Sequence, residues 1–161
     1  LDKALSSASA EEGPRIYLSP RGIKFDQAFA KDLSKEQGAI FICGRYEGVD
    51  ERFLIYNNVI EVSVGDFILS GGEIGAQLMI DATVRLLPNV IGNSIGLVEE
   101  SFENNLLEYP LYTYPRVWNE LEVPEVLLSG DHKRIKKWKT EMSEKLTKSK
   151  RPDLWSKYIK S

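Results

Sequence analysis

The sequence predicts an α/β protein built on a largely parallel sheet, with further helices towards its carboxyl end. Three apolar runs rich in Ile, Val, Phe or Tyr each end in a glycine-bearing polar loop, and helical patterns lie between them. Strand, helix, strand at this spacing is the signature of parallel pairing through crossovers. It places the glycine loops at the carboxyl ends of the strands, where such sheets hold their ligands.

In chain order, the opening residues read as a helix, and "RIYLSPRG" (15 to 22) is the first strand-like run. "FDQAFAKDLSKEQ" (25 to 37) has helical periodicity, "AIFICGRYEG" (39 to 48) is the second run, and "VDERFLIYN" (49 to 57) is a second helix. The third run is "NNVIEVSVGDFILSGG" (57 to 72). "EIGAQLMIDATVRLL" (73 to 87) follows, apolar around most of its circumference and closed by Pro88. From Pro88 to about Pro124, with Gly92, Gly96, Pro110 and Pro115, the pattern breaks down; an irregular stretch of this length marks a lid or a linker. "SGDHKRIKKWKTEMSEKL" (129 to 146) offers Ser129 or Asp131 as a cap, and Ile135, Trp138, Met142 and Leu146 fall at helical spacing under a lysine-rich face. "RPDLWSKYIK" (151 to 160) is a last short helix with Pro152 in its first turn.

With 161 residues, 42% of them hydrophobic, one domain with a helical appendage is the default. No apolar run approaches the ~20 uncharged residues of a membrane span. The start lacks a secretory profile, so no membrane partner and a cytoplasmic location are expected. The chain opens at Leu1, within a helical pattern and without an initiator methionine, which suggests that an N-terminal piece is missing. A lone cysteine, Cys43, makes neither an internal disulfide nor a cysteine metal site, and its apolar setting suits a buried small hydrophobe better than a nucleophile. Charge is unevenly spread: residues 131 to 161 carry 11 Lys/Arg against 4 Asp/Glu, and residues 1 to 130 carry 10 against 20. A basic arm on an acidic body suits a polyanion, nucleic acid first, although a solvated helix face would look the same.

The loops narrow the chemistry. "SGGEIG" lacks the Lys-Ser/Thr of a Walker A loop and the three spaced glycines of a dinucleotide fold, and Glu73 within it would repel phosphate. Glu47 in "GRYEG" is a second acid in a glycine loop. Together they favour a neutral or cationic ligand with hydroxyl and amine donors, such as S-adenosylmethionine; the plain alternative is two solvated acids.

Five blocks, "GRYEGVDER" (44 to 52), "SVGDFILSGGE" (63 to 73), "IDATVRLLP" (80 to 88), "SFENNLLEYPLYTYP" (101 to 115) and "VPEVLLSGDHKRIKKW" (123 to 138), resemble in this order the bacterial tRNA (guanine-N1)-methyltransferase family, TrmD. The resemblance implies a fold of the SPOUT class: a mostly parallel sheet with flanking helices and a deep trefoil knot, plus a small C-terminal helical domain. It also implies a homodimer with its active site at the subunit interface. On this template residues 1–90 form the knotted cofactor-binding domain, without the N-terminal part of the family's domain; 91–122 form an interdomain loop or lid, and 123–161 a basic helical domain. The implied activity is methyl transfer from S-adenosylmethionine to N1 of guanosine at position 37 of tRNA, which supports reading-frame maintenance. Magnesium is a further cofactor that the family suggests, with no ligands assigned to it.

The resemblance also implies residue roles. Tyr17, Leu18, Ser19 and Pro20, then Gly44, Tyr46 and Glu47, then Ser63, Val64, Gly65, Phe67, Leu69, Gly71 and Gly72 line the cofactor pocket, where glycines let backbone groups close on an adenine edge and ribose. Guanine N1 becomes a nucleophile only after losing its proton, so the reaction needs a carboxylate base and a donor near O6, the base contributing typically ~10²–10⁴-fold. The matching positions are Glu100, where the family has Asp, with Glu99 as its neighbour, and Arg85, whose bland alternative is an i,i+4 pair with Asp81. Glu108 matches a second family carboxylate, placed with the RNA-contacting residues, and Tyr114 stands where the family has arginine. Lys133, Arg134, Lys136, Lys137 and Lys139 would face tRNA phosphates, while the tryptophans of the tail staple its helices. His132, the sole histidine, suits a helix start. A knotted ribose 2'-O-methyltransferase and a non-catalytic RNA- or nucleotide-binding module are the competing readings.

Overall fold

The computed structural model describes residues 1–8, 13–45, 48–91 and 100–161. The chain divides into two compact units, Leu1–Gly92 and Asn93–Ser161.

The first unit runs α1 (Asp2–Ala8), β1 (Arg15–Lys24), α2 (Gln27–Leu33), β2 (Ile40–Ile42), α3 (Glu51–Tyr56), β3 (Ile60–Ser63) and α4 (Glu73–Val84). Its strands form one parallel sheet in the order β2-β1-β3, as the alternation of strand and helix predicts. Arg15 to Tyr17 pair with Ile40 to Ile42, and Ile16 to Leu18 pair with Ile60 to Val62. The β1–β3 register then shifts, because Ile23 returns to face Val62 again. Ser19, Pro20, Arg21 and Gly22 are therefore extra residues on β1, a bulge of several residues. At Gly22 a Cβ would lie 2.3 Å from the Val62 nitrogen, so only glycine lets the two backbones approach this closely.

The helices are shorter than their apolar patterns, and their caps say why. The Asp26 carboxylate accepts from the Phe29 N–H and starts α2; the Asp50 carboxylate does the same for Arg52 and starts α3. After Val84 the Leu86 and Leu87 N–H groups bond three residues back, tightening the chain ahead of Pro88, which can neither donate nor tolerate a helical Leu87. Ile16, Leu33, Val62 and Met79 form the buried core, with Leu18, Phe25, Phe29, Phe41 and Val64 packed around it. α4 buries Gly75, Ala76, Met79 and Thr83 and leaves Ile74, Leu78, Ile80 and Val84 exposed. No helix among the described residues is long and apolar enough to cross a membrane.

The second unit has a 3-10 turn (Glu103–Asn105), the antiparallel pair β4 (Val117–Trp118) and β5 (Leu121–Glu122), α5 (Glu125–Leu128), α6 (His132–Lys150) and α7 (Pro152–Tyr158). Asp131 caps α6, its carboxylate accepting from the Lys133 and Arg134 N–H groups. The tail's aromatic rings meet other rings: Trp138 lies 6.2 Å from Tyr112, and Trp155 lies 5.4 Å from Tyr158. Tyr158 also donates to Glu144 Oε1 at 2.8 Å, which ties α7 to α6. The β4–β5 hairpin lies where the sequence predicts only irregular chain. Its turn residues Asn119 and Glu120 both have positive φ, a conformation that glutamate rarely signals.

Candidate functional site

The first unit holds a cavity of about 190 Å³ at the end of the sheet where β2 and β3 finish. The β1 bulge contributes Tyr17, Leu18, Ser19 and Pro20; the turn after β2 contributes Gly44. The chain between β3 and α4 contributes Ser63, Val64, Gly65, Phe67, Leu69, Gly71 and Gly72. Tyr46 and Glu47 lie outside the described residues. Arg45, Gly48, Val62, Ile68 and Ser70 also line the cavity and are absent from the expectation. Arg45 sits inside the "GRYEG" block, so its neighbourhood was legible even though its role was not.

Close backbone approach builds the walls. The Gly72 N–H points at the Gly44 carbonyl at 3.4 Å, and a Cβ on Gly72 would stand 3.0 Å from Cys43 Cα. A Cβ on Gly44 would stand 3.0 Å from the Tyr17 ring. The Ser63 hydroxyl accepts from the Gly65 N–H at 3.3 Å, and Gly65, at φ 152, turns the chain where an L side chain would be strained.

Of the two acids expected in the glycine loops, Glu73 alone lies among the described residues. Glu73 is not part of the lining; its carboxylate takes the Arg45 Nε–H at 2.8 Å. A hydrogen bond from its own backbone, and then the Arg45 guanidinium, hold that carboxyl below its usual range. The charged side chain at the cavity wall, among the described residues, is thus the cation Arg45. Burial, and then the charge of Glu73, push the Cys43 thiol pKa up, so it stays protonated and fits a small apolar residue. Chemically, the cavity wall offers glycine backbone, apolar side chains, hydroxyl groups and one guanidinium that is paired with Glu73.

Arg85 follows the last residue of α4, half-buried, and lines a shallow concavity of about 310 Å³ with Gln77, Ile80, Asp81, Val84 and Val90. In the second unit Glu100 is half-buried next to Ser101, whose hydroxyl accepts from the Glu108 N–H at 2.9 Å. Glu99, Gly92 and Gly96 lie outside the described residues. Lys133, Arg134, Lys136 and Lys137 are exposed on α6, whereas Lys139 is half-buried with its ammonium 4.4 Å above the Tyr109 ring. His132 is the exposed first residue of α6, and Tyr114 is almost fully exposed before Pro115. No group of three or more His, Cys, Asp or Glu side chains able to hold a metal ion is gathered among the described residues.

The fold and cavity define an α/β protein whose loops, at the carboxyl ends of parallel strands, close on a small-molecule-sized pocket. The chain belongs to the family described as tRNA (guanine-1)-methyltransferase TrmD, whose family model matches residues 1–157. It is 57% identical over 152 residues to the tRNA (guanine-N(1)-)-methyltransferase of Pelagibacter ubique, covering 94% of this chain and 67% of that protein. The enzyme of the same name from Rhodospirillum rubrum is 47% identical over 159 residues, 99% of this chain and 66% of its own length. That from Roseobacter denitrificans is 55% identical over 143 residues, 89% and 59%. The chain thus spans about two thirds, or less, of these relatives.

Proposed function

We propose that this chain transfers the methyl group of S-adenosylmethionine to N1 of guanosine at position 37 of tRNA. The observation that carries the reading is the convergence of three separate loops, in a chain of this family, on one cavity walled by glycine backbone and apolar side chains. That cradle suits an adenosine, because a Cβ at Gly44 or Gly72 would fill the space against Tyr17 or Cys43. Arg45 suits the carboxylate of the amino-acid end, which would compete with Glu73 for it. Magnesium, which the resemblance suggests, has no ligands assigned to it among the described residues.

Bound S-adenosylmethionine supplies an electrophilic methyl on its sulfonium. Glu100 takes the proton from guanine N1, and Arg85 donates to O6 as negative charge gathers there. Lys133, Arg134, Lys136 and Lys137 meet tRNA phosphates along α6, with the sequence-independent, salt-sensitive affinity that such contacts give. Lys139 and Glu108 belong to the same RNA face. The domain roles follow the family: a knotted cofactor-binding part over 1–90, a lid over 91–122 and a basic helical part over 123–161.

The protein works as a homodimer, with the active site at the subunit interface. Exposed Ile55 and Tyr56 on α3 and Ile74 and Leu78 on α4 support this, since a lone chain would leave these side chains in water. Such an enzyme acts in the cytoplasm, where tRNA is modified.

Tritiated methyl transfer to tRNA with guanosine at position 37, against the adenosine variant, tests the proposal. Incorporation into the guanosine tRNA alone is expected. Equal incorporation into both would favour a ribose methyltransferase, and binding without incorporation would leave a non-catalytic module.

A further inference from the structure

Thr147 is out of place by ordinary helix rules. It lies in the last turn of a lysine-rich helix, a polar β-branched residue with no exposure at all. Its hydroxyl donates to the Ser143 carbonyl at 2.7 Å, and its oxygen accepts from the Leu107 N–H at 2.8 Å. The next N–H along, that of Glu108, donates to the Ser101 hydroxyl, and the Phe102 N–H donates to the Leu106 carbonyl at 2.7 Å. The turn so closed holds Phe102, Asn104 and Asn105 at φ of 76, 50 and 60 degrees. Asparagine adopts such angles readily, whereas phenylalanine keeps one only where its surroundings impose it. Tyr109 under the Lys139 ammonium and Tyr112 beside Trp138 carry the attachment further along the same helix. Glu100 stands at the mouth of this turn, adjacent to Ser101.

We propose that Thr147 is a positioning residue for Glu100, clamping the 101–108 turn onto α6 through the Leu107 amide so that the carboxylate is presented from a fixed base. The inference rests on the assignment of Glu100 as the proton acceptor. Without the Thr147 oxygen the half-buried Leu107 N–H loses its partner, and the turn gains other conformations. The carboxylate then reaches guanine N1 in only a fraction of complexes.

The test compares Thr147→Val, which keeps the shape and removes the oxygen, with Thr147→Ser, which keeps the oxygen. Single-turnover methyl transfer to tRNA should fall about tenfold or more in the valine variant. S-adenosylhomocysteine affinity should stay within about twofold, and serine should restore most of the rate. Amide exchange at Leu107 should speed up in the valine variant only. A wild-type rate in Thr147→Val, or a serine variant as slow as the valine one, overturns the proposal. If Thr147→Val does not fold, Thr147→Ala removes the same acceptor without the β-branch, and an unchanged rate there overturns it equally. Glu100→Gln separates the two layers: if that variant transfers methyl normally, the base assignment itself falls.

Discussion

Gly71 and Gly72 are adjacent in the cavity wall, and the same substitution at each should have unequal consequences. An alanine Cβ at Gly72 would sit 3.0 Å from Cys43 Cα, 3.4 Å from Cys43 Cβ and 3.6 Å from the Gly44 nitrogen. Relaxed carbon contacts lie at roughly 3.5–4.0 Å, so the two loops must separate by about half an ångström. The neighbour is backbone, and it cannot swing aside. Overpacking of this kind costs about 1–3 kcal/mol. If the loops recover their closed spacing only when ligand binds, that cost appears as affinity weakened about fivefold to a hundredfold. Gly72 has φ -75, an angle that alanine adopts freely, so backbone strain adds nothing. At Gly71 the new Cβ meets Glu73 Oε2 at 2.3 Å, but this is the tip of an exposed side chain that can rotate away at the expense of its solvent-screened pair with Arg45. Calorimetric titration with S-adenosylhomocysteine, run beside thermal melts, should show Gly72→Ala weakened and Gly71→Ala close to wild type. Wild-type affinity in Gly72→Ala, or the larger loss in Gly71→Ala, would refute the reasoning that main-chain contact sets the pocket width.

Arg85→Ala and Glu100→Ala should abolish methyl transfer while leaving S-adenosylhomocysteine affinity nearly intact; loss of binding in either would show that the residue serves the pocket. Replacing Lys133 or Lys136 with alanine should weaken tRNA binding similarly for guanosine and adenosine at position 37 and flatten the log-affinity against log-salt slope by roughly 0.7–0.9 per lost contact. Met79→Ala empties a fully buried core position and should lower stability by about 2–5 kcal/mol in urea titrations. Tyr158 ionises at higher pH than usual because it donates to the Glu144 carboxylate. A raised folded-state pKa contributes stability that is complete below the unfolded value of about 10 and is lost as pH rises through the folded one. Wild type should therefore lose its stability advantage over Tyr158→Phe in strongly alkaline melts, whereas an advantage that grows with pH would contradict the bond.

The parallel sheet was legible because its three strands each carry a run of Ile, Val or Phe ahead of a glycine, and because Pro88 marks a helix end. The charge at the cavity was not. Glu73 reads as an acid facing a ligand, yet it pairs with Arg45, 28 residues away along the chain. Pairing across such a separation leaves no local pattern. The second unit shows the same limit. The helical spacing of Ile135, Trp138 and Met142 announces α6, but Thr147 looks like one more polar residue until the chain around Leu107 is seen lying on it.

The detour of β1 around Ser19 to Gly22 leaves β3 and returns to it at a single residue, Val62. Ordinary surface connections tolerate added or lost residues because their ends are loosely tethered. This one is a buckle, both prongs fastened to one eyelet, so the residues between them shape the cavity wall while the strand on either side keeps its place against β3. Exchanging side chains along this detour is therefore the change that reshapes the cavity wall while leaving the register of the sheet as it is.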